Sequence, residues 1–154
     1  MSDSLSTGPD YASRPIRPGG NAEGAAILTP PELFAALNEE FHFTHPLGRD
    51  GDPCPYPRPE GFDGTVVPWG ASSYVNPPFG PPGFTAWVKK AIAERDRGNT
   101  VTLTMPVYGW IARLLEAGAE TRVRRDWWWE TPSGEKRRPS QPLVVWVLRP
   151  RKVA

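Results

Sequence analysis

Apolar residues recur at helical spacing directly after a proline-containing start signal near residue 30. In the motif Thr29-Pro30-Pro31-Glu32, Thr29 is the expected N-cap and Pro30 the first helical position. The helical period of the apolar positions that follow predicts an amphipathic helix over residues 30–40. Its apolar face is formed by Leu33, Phe34, Leu37 and Phe41.

Two further helices are predicted in the middle of the chain. One runs from Gly83 to about Arg97 and ends at Gly98-Asn99. The other covers residues 110–117 and ends before Gly118. The apolar face of the longer helix comprises Phe84, Trp87, Val88, Ala91 and Ile92.

Short apolar and β-branched runs predict the strands. We expect a first strand around Phe43, a short one at Tyr74-Val75 and a buried one over residues 100–105. A short extended piece is also expected at residues 65–67, just before Trp69, which is the expected anchor of this loop-rich region. Two β-rich runs near the C-terminus should pair as a hairpin that closes the sheet; they cover residues 120–129 and 143–148. Alternating helices and strands predict an α/β sandwich with a mostly parallel sheet and an antiparallel C-terminal edge.

Length and composition predict one domain. The chain has 154 residues, 38% of them hydrophobic, which is enough for one sizeable core. Residues 1–26 are expected to be a flexible N-terminal segment, and residues 27–154 a single domain. No apolar run has the length of a membrane span, and the N-terminal residues lack the apolar stretch of a signal peptide, so we expect a cytoplasmic protein.

Cysteine and histidine usage predicts neither a disulfide nor a metal centre. Cys54 is the one cysteine and therefore has no partner within the chain. With His42 and His45 it gives too few ligands for a typical structural zinc site. We expect Cys54 to be a small buried or half-buried side chain, and the two histidines to be ordinary surface or capping residues.

The stretch Val75-Asn76-Pro77-Pro78-Phe79 carries the most specific chemistry of the sequence. Two prolines fix φ and remove backbone donors, so the turn is stiff. The Asn76 side-chain oxygen and the Pro77 carbonyl could hold an exocyclic amine by both its hydrogens and aim its lone pair at an electrophilic methyl group. Phe79 could stack on the ring that carries the amine. The stretch therefore favours methyl transfer to an amino nitrogen, with a proline-rich surface loop as the alternative.

Several motifs taken together resemble one enzyme family. Asn76-Pro77-Pro78-Phe79-Gly80, with Thr29-Pro30-Pro31-Glu32 and Asp52-Pro53-Cys54 upstream, is similar to the phage-type DNA N6-adenine methyltransferases. Trp69 before the short strand and Trp87 in the following helix fit the same pattern, and the resemblance covers roughly residues 27–149. It implies a trimmed Rossmann-like methyltransferase sandwich, S-adenosylmethionine as cofactor, DNA as partner and, for a phage protein, the host cytoplasm.

The resemblance also implies roles for single residues. Asn76, Pro77, Pro78 and Phe79 would form the adenine and methyl-transfer site, and Asn76 would also border the cofactor. Thr29 and Pro30 would line the cofactor pocket, with Asp52 at the cofactor end of the first strand. The chain lacks a Gly-x-Gly loop after that strand. Asp50 could take the role of Asp52, and capping a turn is the structural alternative for either.

Other substrates suit the same motif. An adenine in RNA or the side-chain amide of a protein glutamine would also present an amino nitrogen to the Asn-Pro-Pro-aromatic stretch. A non-catalytic DNA-binding or S-adenosylmethionine-binding relic is the hypothesis from a different class, because the glycine loop is missing.

The distribution of charge predicts where DNA would bind. The net charge is only +1, but Ala119–Ala154 contains nine basic and four acidic residues. We expect phosphate contacts from this region, with a solvated face as the alternative. In Trp127-Trp128-Trp129, strand alternation leaves at most Trp128 free to stack on a base. The predicted phosphate-contacting residues are Arg124, Arg125, Lys136, Arg137 and Arg138.

Overall fold

The structure, a computed structural model, describes residues 29–45, 52–55, 59–77, 83–105, 109–124, 128–130, 135–137 and 143–152. The segment predicted to be flexible, residues 1–26, lies outside these ranges. The helices are α1 (Pro31–Phe41), α2 (Phe84–Asp96) and α3 (Ile111–Glu116). The strands are β1 (Ser72–Val75), β2 (Thr100–Thr104), β3 (Glu120–Arg124), β4 (Trp129–Glu130), β5 (Lys136–Arg137) and β6 (Leu143–Leu148). All three predicted helices are confirmed, each to within one residue at either end.

Four strands form an open mixed sheet in the order β1-β2-β6-β3. The α/β class is confirmed, but the expectation of a mostly parallel sheet is wrong. Among the described neighbouring strands of this sheet, β1 and β2 form the one parallel pair, while β6 pairs antiparallel with both β2 and β3. The crossover through α2 makes β1 and β2 parallel. The last strand, β6, inserts between β2 and β3 and runs in the opposite direction to both, so both of its pairings are antiparallel. The predicted pairing of the two C-terminal runs is confirmed as β3 with β6.

Three smaller predictions were also wrong. The residues around Phe43 are not a strand, although the Thr44 N–H donates to the Ser72 carbonyl at 2.8 Å beside β1. Residues 65–67 lie in turns and bends, because the Asp63 carboxylate accepts the Thr65 N–H at 2.9 Å. Of the run over residues 120–129, β3 pairs with β6 as expected, but Trp129 belongs to β4, which pairs with β5 in a separate two-stranded sheet.

The N-terminus of α1 also differs from the expectation. The helix begins at Pro31, and Pro30 rather than Thr29 occupies the cap position, with no capping hydrogen bond from its side chain. The Thr29 hydroxyl is therefore not used as a helix cap. It points instead to the end of β1, where it takes part in the site described below.

The sheet separates two layers of different character. On one face, α2 and α3 cover an apolar core that includes Val75, Val101 and Leu103 from the sheet. On the other face, α1 packs through aromatic rings, with Phe34 edge-on to Tyr74 at a centroid distance of 5.2 Å and Phe43 5.4 Å from Tyr74. Within the described part of the chain, no helix has the length and apolarity that crossing a membrane requires.

Candidate functional site

Asn76 lies at the carboxyl end of β1, on the edge of the sheet where β2 also ends. Because β1 and β2 are parallel, Asn76 and Met105 follow the two strands at the same edge. Asn76 is 4% exposed, and Pro77 is buried beside it. Crevices beyond the carboxyl ends of parallel strands are the usual ligand sites of open α/β sheets.

A long-range hydrogen bond orients the side-chain amide of Asn76. Its Nδ2 group donates to the Thr29 hydroxyl oxygen at 3.4 Å, across 47 residues of sequence. Because the amide is planar, its oxygen then lies on the arm directed away from Thr29. Asn76 is thus held with an acceptor, rather than a donor, on its other side. The structure therefore brings two of the predicted site residues, Asn76 and Thr29, into direct contact.

A buried chain of hydroxyl groups continues from Thr29 into the sheet. The Tyr74 hydroxyl bonds to Thr29 and also to the Thr104 hydroxyl, the latter at 2.6 Å. Tyr74 is 1% exposed, and burial raises the pKa of its phenol, with the charge of Asp52 adding to the effect. Tyr74 is therefore a neutral hydroxyl group at neutral pH and can donate its proton. The sequence identified Tyr74 only as a strand residue, although its position two residues before Asn76 places it on the same face.

Asp52 and His45 form a second buried polar pair. The Asp52 carboxylate accepts the Cys54 N–H at 2.8 Å and lies 3.7 Å from Nδ1 of His45. Burial lowers the pKa of His45 to about 4, so the imidazole is neutral at neutral pH. Among the described residues, Nε2 of His45 has no hydrogen-bond partner. Cys54 is buried, as predicted.

The expectation that His45 is a surface or capping residue was wrong. It is 2% exposed, while His42 at the end of α1 is exposed, as predicted. The signal in the sequence is the alternation of Phe43, Thr44 and His45, in which the first and third side chains point inward. The pattern was too short to distinguish from a loop.

A tight backbone contact fixes the segment that carries Asp52. A Cβ atom on Gly64 would lie 2.0 Å from the Pro53 carbonyl oxygen and 2.7 Å from the Trp87 ring, so only glycine fits there. Trp69 stacks on Trp87 at 6.1 Å and donates its indole N–H to the Gly64 carbonyl at 2.7 Å. Trp69 is therefore the predicted anchor, and it ties residues 52–55 to α2.

The predicted basic surface is only partly described. Arg124 is a half-buried residue at the end of β3, Lys136 is exposed on β5, and Arg137 also belongs to β5. Pro78, Phe79, Asp50, Arg125 and Arg138 lie outside the described residues. Trp128 is 40% exposed. Where the structure describes the chain, it contains no cluster of side chains suited to a metal ion.

Two other C-terminal arginines are engaged by carboxylates. Arg122 forms ion pairs with Glu40 at 2.7 Å and with Glu120 at 2.7 Å, and Arg149 lies 3.6 Å from both carboxylates. The hydrogen bond from Arg122 lowers the pKa of Glu40, and desolvation is the main effect that opposes this shift. The positive charge of these two residues is therefore largely balanced within the protein.

Comparisons with known proteins add no family to this picture. A search against protein-family models, curated proteins and solved structures finds no match to the chain.

Proposed function

We propose that the protein methylates the N6 amine of adenine in DNA, using S-adenosylmethionine. The observation that carries the proposal is the buried Asn76 at the carboxyl end of β1, its amide nitrogen held by Thr29 and its oxygen directed the other way. Pro77 follows directly and supplies a second carbonyl from a backbone whose φ is fixed.

The chemistry requires an amine to be held in one orientation. The Asn76 oxygen and the Pro77 carbonyl each accept one N–H of the amine, which concentrates the nitrogen lone pair on the side facing the methyl group. When bound, S-adenosylmethionine would supply that methyl group from a positively charged sulfur, which would leave as a neutral thioether as the C–N bond forms. The nitrogen loses one proton to solvent, so a strong general base is not required. Phe79 stacks on the adenine ring in this proposal.

The buried polar groups near Asn76 suit such a cofactor. The carboxylate of Asp52 can accept hydrogen bonds from ribose hydroxyls or an amino group, and Nε2 of neutral His45 has no hydrogen-bond partner among the described residues. Thr29 and Pro30, both buried, border the same region. The charge of Asp52 also raises the pKa of the Tyr74 phenol, so Asp52 interacts electrostatically with the hydroxyl chain that ends at Asn76.

The directions of the strands also support a trimmed methyltransferase-like sheet. Because β6 is antiparallel to both β2 and β3, the strands β1, β2 and β3 all run in one direction. Their carboxyl ends consequently share the edge at which Asn76 lies. The β1-α2-β2 unit has its parallel strand ends at this edge, which is where open α/β sheets usually bind ligands.

DNA is the proposed substrate because of the resemblance and the C-terminal charge. Arg124, Arg125 and the Lys136-Arg137-Arg138 stretch would contact phosphates and give affinity without choosing a sequence. An adenine within a duplex would first have to be flipped out of the base stack to reach Asn76. The reaction would take place in the cytoplasm, or in the host cytoplasm for a phage protein.

Nucleoside analysis tests the proposal directly. DNA from cells that express the wild-type chain should contain N6-methyladenine by mass spectrometry, and DNA from cells that express Asn76→Ala should not. With purified proteins, Asn76→Ala should lower kcat at least about a thousandfold because it removes an acceptor used to orient the reacting amine. Its affinity for S-adenosylmethionine should change little.

Other outcomes would overturn the assignment. Methylation by Asn76→Ala at the wild-type rate would show that the site is elsewhere. Methylated RNA or glutamine with unmodified DNA would identify a different substrate. Cofactor binding without any methylated product would indicate a non-catalytic protein.

A further inference from the structure

We propose that Thr29, Tyr74 and Thr104 are positioning residues that determine which way round the Asn76 amide lies. This inference rests on the proposed function of Asn76 as the acceptor of the reacting amine. Three buried hydroxyl groups, from three separate parts of the chain, would hold the amide oxygen of Asn76 toward the substrate.

An asparagine amide has two orientations of nearly the same shape and opposite chemistry. Rotation by a half-turn exchanges the carbonyl oxygen for the NH₂ group, so an acceptor becomes a donor. A donor facing the amine of adenine would repel it and could not concentrate its lone pair. Packing alone distinguishes the two orientations poorly, so the hydrogen-bond partners of Asn76 must select one.

Thr29 selects the observed orientation. Nδ2 of Asn76 donates to the Thr29 oxygen, so Thr29 must act as an acceptor there. A hydroxyl group has one proton, and that proton must be used elsewhere if it is not to compete for the Asn76 oxygen. Tyr74 supplies the alternative partner, because its hydroxyl is hydrogen-bonded to Thr29.

Counting donors gives the polarity of the whole chain. The two distances permit either direction, and in the polarity we infer, Thr29 donates to Tyr74 and Tyr74 donates to Thr104 across 2.6 Å. In the reverse polarity, Tyr74 would donate to Thr29, which would free the Thr29 proton to reach the Asn76 oxygen and favour the rotated amide. Thr104 therefore acts on Asn76 through two intervening hydroxyl groups, as the acceptor that draws the Tyr74 proton away from Thr29.

Burial makes this polarity matter. Thr29, Tyr74 and Asn76 are 5%, 1% and 4% exposed, and Thr104 is completely buried. Bulk water is therefore a poor substitute for a lost partner, and a hydroxyl proton that loses its acceptor must turn to another group of the chain. Removing one hydroxyl group should consequently change the hydrogen bonding and the orientation of the Asn76 amide.

Threonine-to-valine variants test the chain with little change in shape. Purified Thr29→Val should lose about tenfold or more in kcat, since one orienting hydrogen bond disappears, while its KM for DNA stays within about twofold. Thr29→Ser keeps the hydroxyl group and should restore most of the rate. Tyr74→Phe and Thr104→Val should each lower kcat severalfold. Thr102→Val is the matched control, because Thr102 is equally buried on β2 and its hydroxyl has no hydrogen-bond partner among the described residues.

Nuclear magnetic resonance separates this inference from the proposed function. The side-chain amide signals of Asn76, assigned by their loss in Asn76→Ala, report the hydrogen bond to Thr29 without any substrate. They should shift in Thr29→Val and Thr104→Val and stay in place in Thr102→Val. If the wild-type protein methylates nothing while these shifts occur, the proposed function fails but the positioning chain stands.

Three results would overturn the inference. One is wild-type kcat in both Thr29→Val and Thr104→Val. Another is unchanged Asn76 amide signals in those two variants. The third is a Thr29→Val protein that binds S-adenosylmethionine more weakly at unchanged kcat, because Thr29 would then serve the cofactor rather than Asn76.

Discussion

The two faces of the sheet are built from alternate residues of the same strands, yet they differ in chemistry. On the face covered by α2 and α3, the strands contribute Val75, Val101 and Leu103, which are fully buried and apolar. On the face covered by α1, Tyr74 and Thr104 contribute hydroxyl groups that bond to one another and to Thr29. A two-residue period thus divides the sheet into an apolar layer and a hydrogen-bonded layer.

This difference indicates that the α2 face contributes mainly to the free energy of unfolding, and that the α1 face mainly fixes the orientation of hydrogen-bonded groups. Burying an apolar side chain completely stabilises the folded state by roughly 1.5–3 kcal/mol. A buried hydrogen bond contributes less, about 1 kcal/mol net, but fixes the direction of its groups. We therefore expect substitutions on the α2 face to change unfolding, and substitutions in the hydroxyl chain to change catalysis.

Leu103→Ala should break the apolar layer. Leu103 is fully buried in the core, so the substitution should lower the free energy of unfolding by about 3 kcal/mol through lost burial and a residual cavity. The kcat of the molecules that remain folded should be close to that of the wild type. Denaturant titration measures the first quantity, and initial rates corrected for the folded fraction measure the second. A fall in kcat per folded molecule comparable to that of Thr29→Val would remove the distinction between the faces.

Acid should weaken the protein through His45. Burial lowers the pKa of this histidine from 6.5 in the unfolded chain to about 4, so the unfolded state binds the proton more readily. Above pH 6.5 His45 is neutral in both states and does not reduce the free energy of unfolding. As the pH falls from 6.5 to 4, protonation of the unfolded state lowers this free energy by at most about 3 kcal/mol.

Urea titrations at several pH values check this prediction. His45→Gln should remove most of the change between pH 6.5 and 4, whereas His42→Asn, at the exposed histidine, should leave it unaltered. An identical pH dependence in wild type and His45→Gln would show that carboxylates alone produce the acid sensitivity.

Asp52→Ala should weaken S-adenosylmethionine binding by about tenfold, because the buried carboxylate is the expected acceptor for the cofactor. Asp50→Ala should have a smaller effect. Asp52→Asn is the matched variant, since its amide oxygen can still accept the Cys54 N–H while its charge is lost. Calorimetry on the three proteins measures their affinities for S-adenosylmethionine. An unchanged affinity for Asp52→Ala would move the cofactor role to Asp50 or elsewhere.

The smallest expected change concerns the basic stretch that begins with Lys136 and Arg137 of β5, outside the four-stranded sheet. Replacing Lys136, Arg137 and Arg138 together by alanine should weaken DNA binding about equally for all sequences. The slope of log K against log salt should become shallower by up to about 2.7, because fewer counterions are released. Unfolding and S-adenosylmethionine binding should not change. Fluorescence anisotropy at several salt concentrations measures the slope, and an unaltered slope would identify this stretch as a solvated turn.

The sequence predicted the local elements better than their arrangement. Apolar periodicity was sufficient for α1 and α2, since their buried faces alternate regularly with exposed residues. The insertion of β6 between β2 and β3 depends on which strand edges are available after folding, and hydrophobic pattern carries no such information.

The residues of the candidate site differ in the same way. Asn76 was selected from the two prolines after it, which is a local signal, and its role stays a prediction. Tyr74 and His45 were missed because their importance comes from burial and from partners distant in sequence. A tyrosine in a strand next to a valine has the pattern of ordinary packing, and only the positions of Thr29 and Thr104 distinguish it.

The hydroxyl chain also has a consequence for the order of folding. Its hydrogen bonds join residues 45, 30 and 47 positions apart, so none can form within one local element. Contacts between distant positions form only after loop closure has brought the segments together. Helix α1, strand β1 and strand β2 must therefore all be in place before Asn76 is oriented. We expect activity to return in the last phase of refolding, after the α2 face has formed.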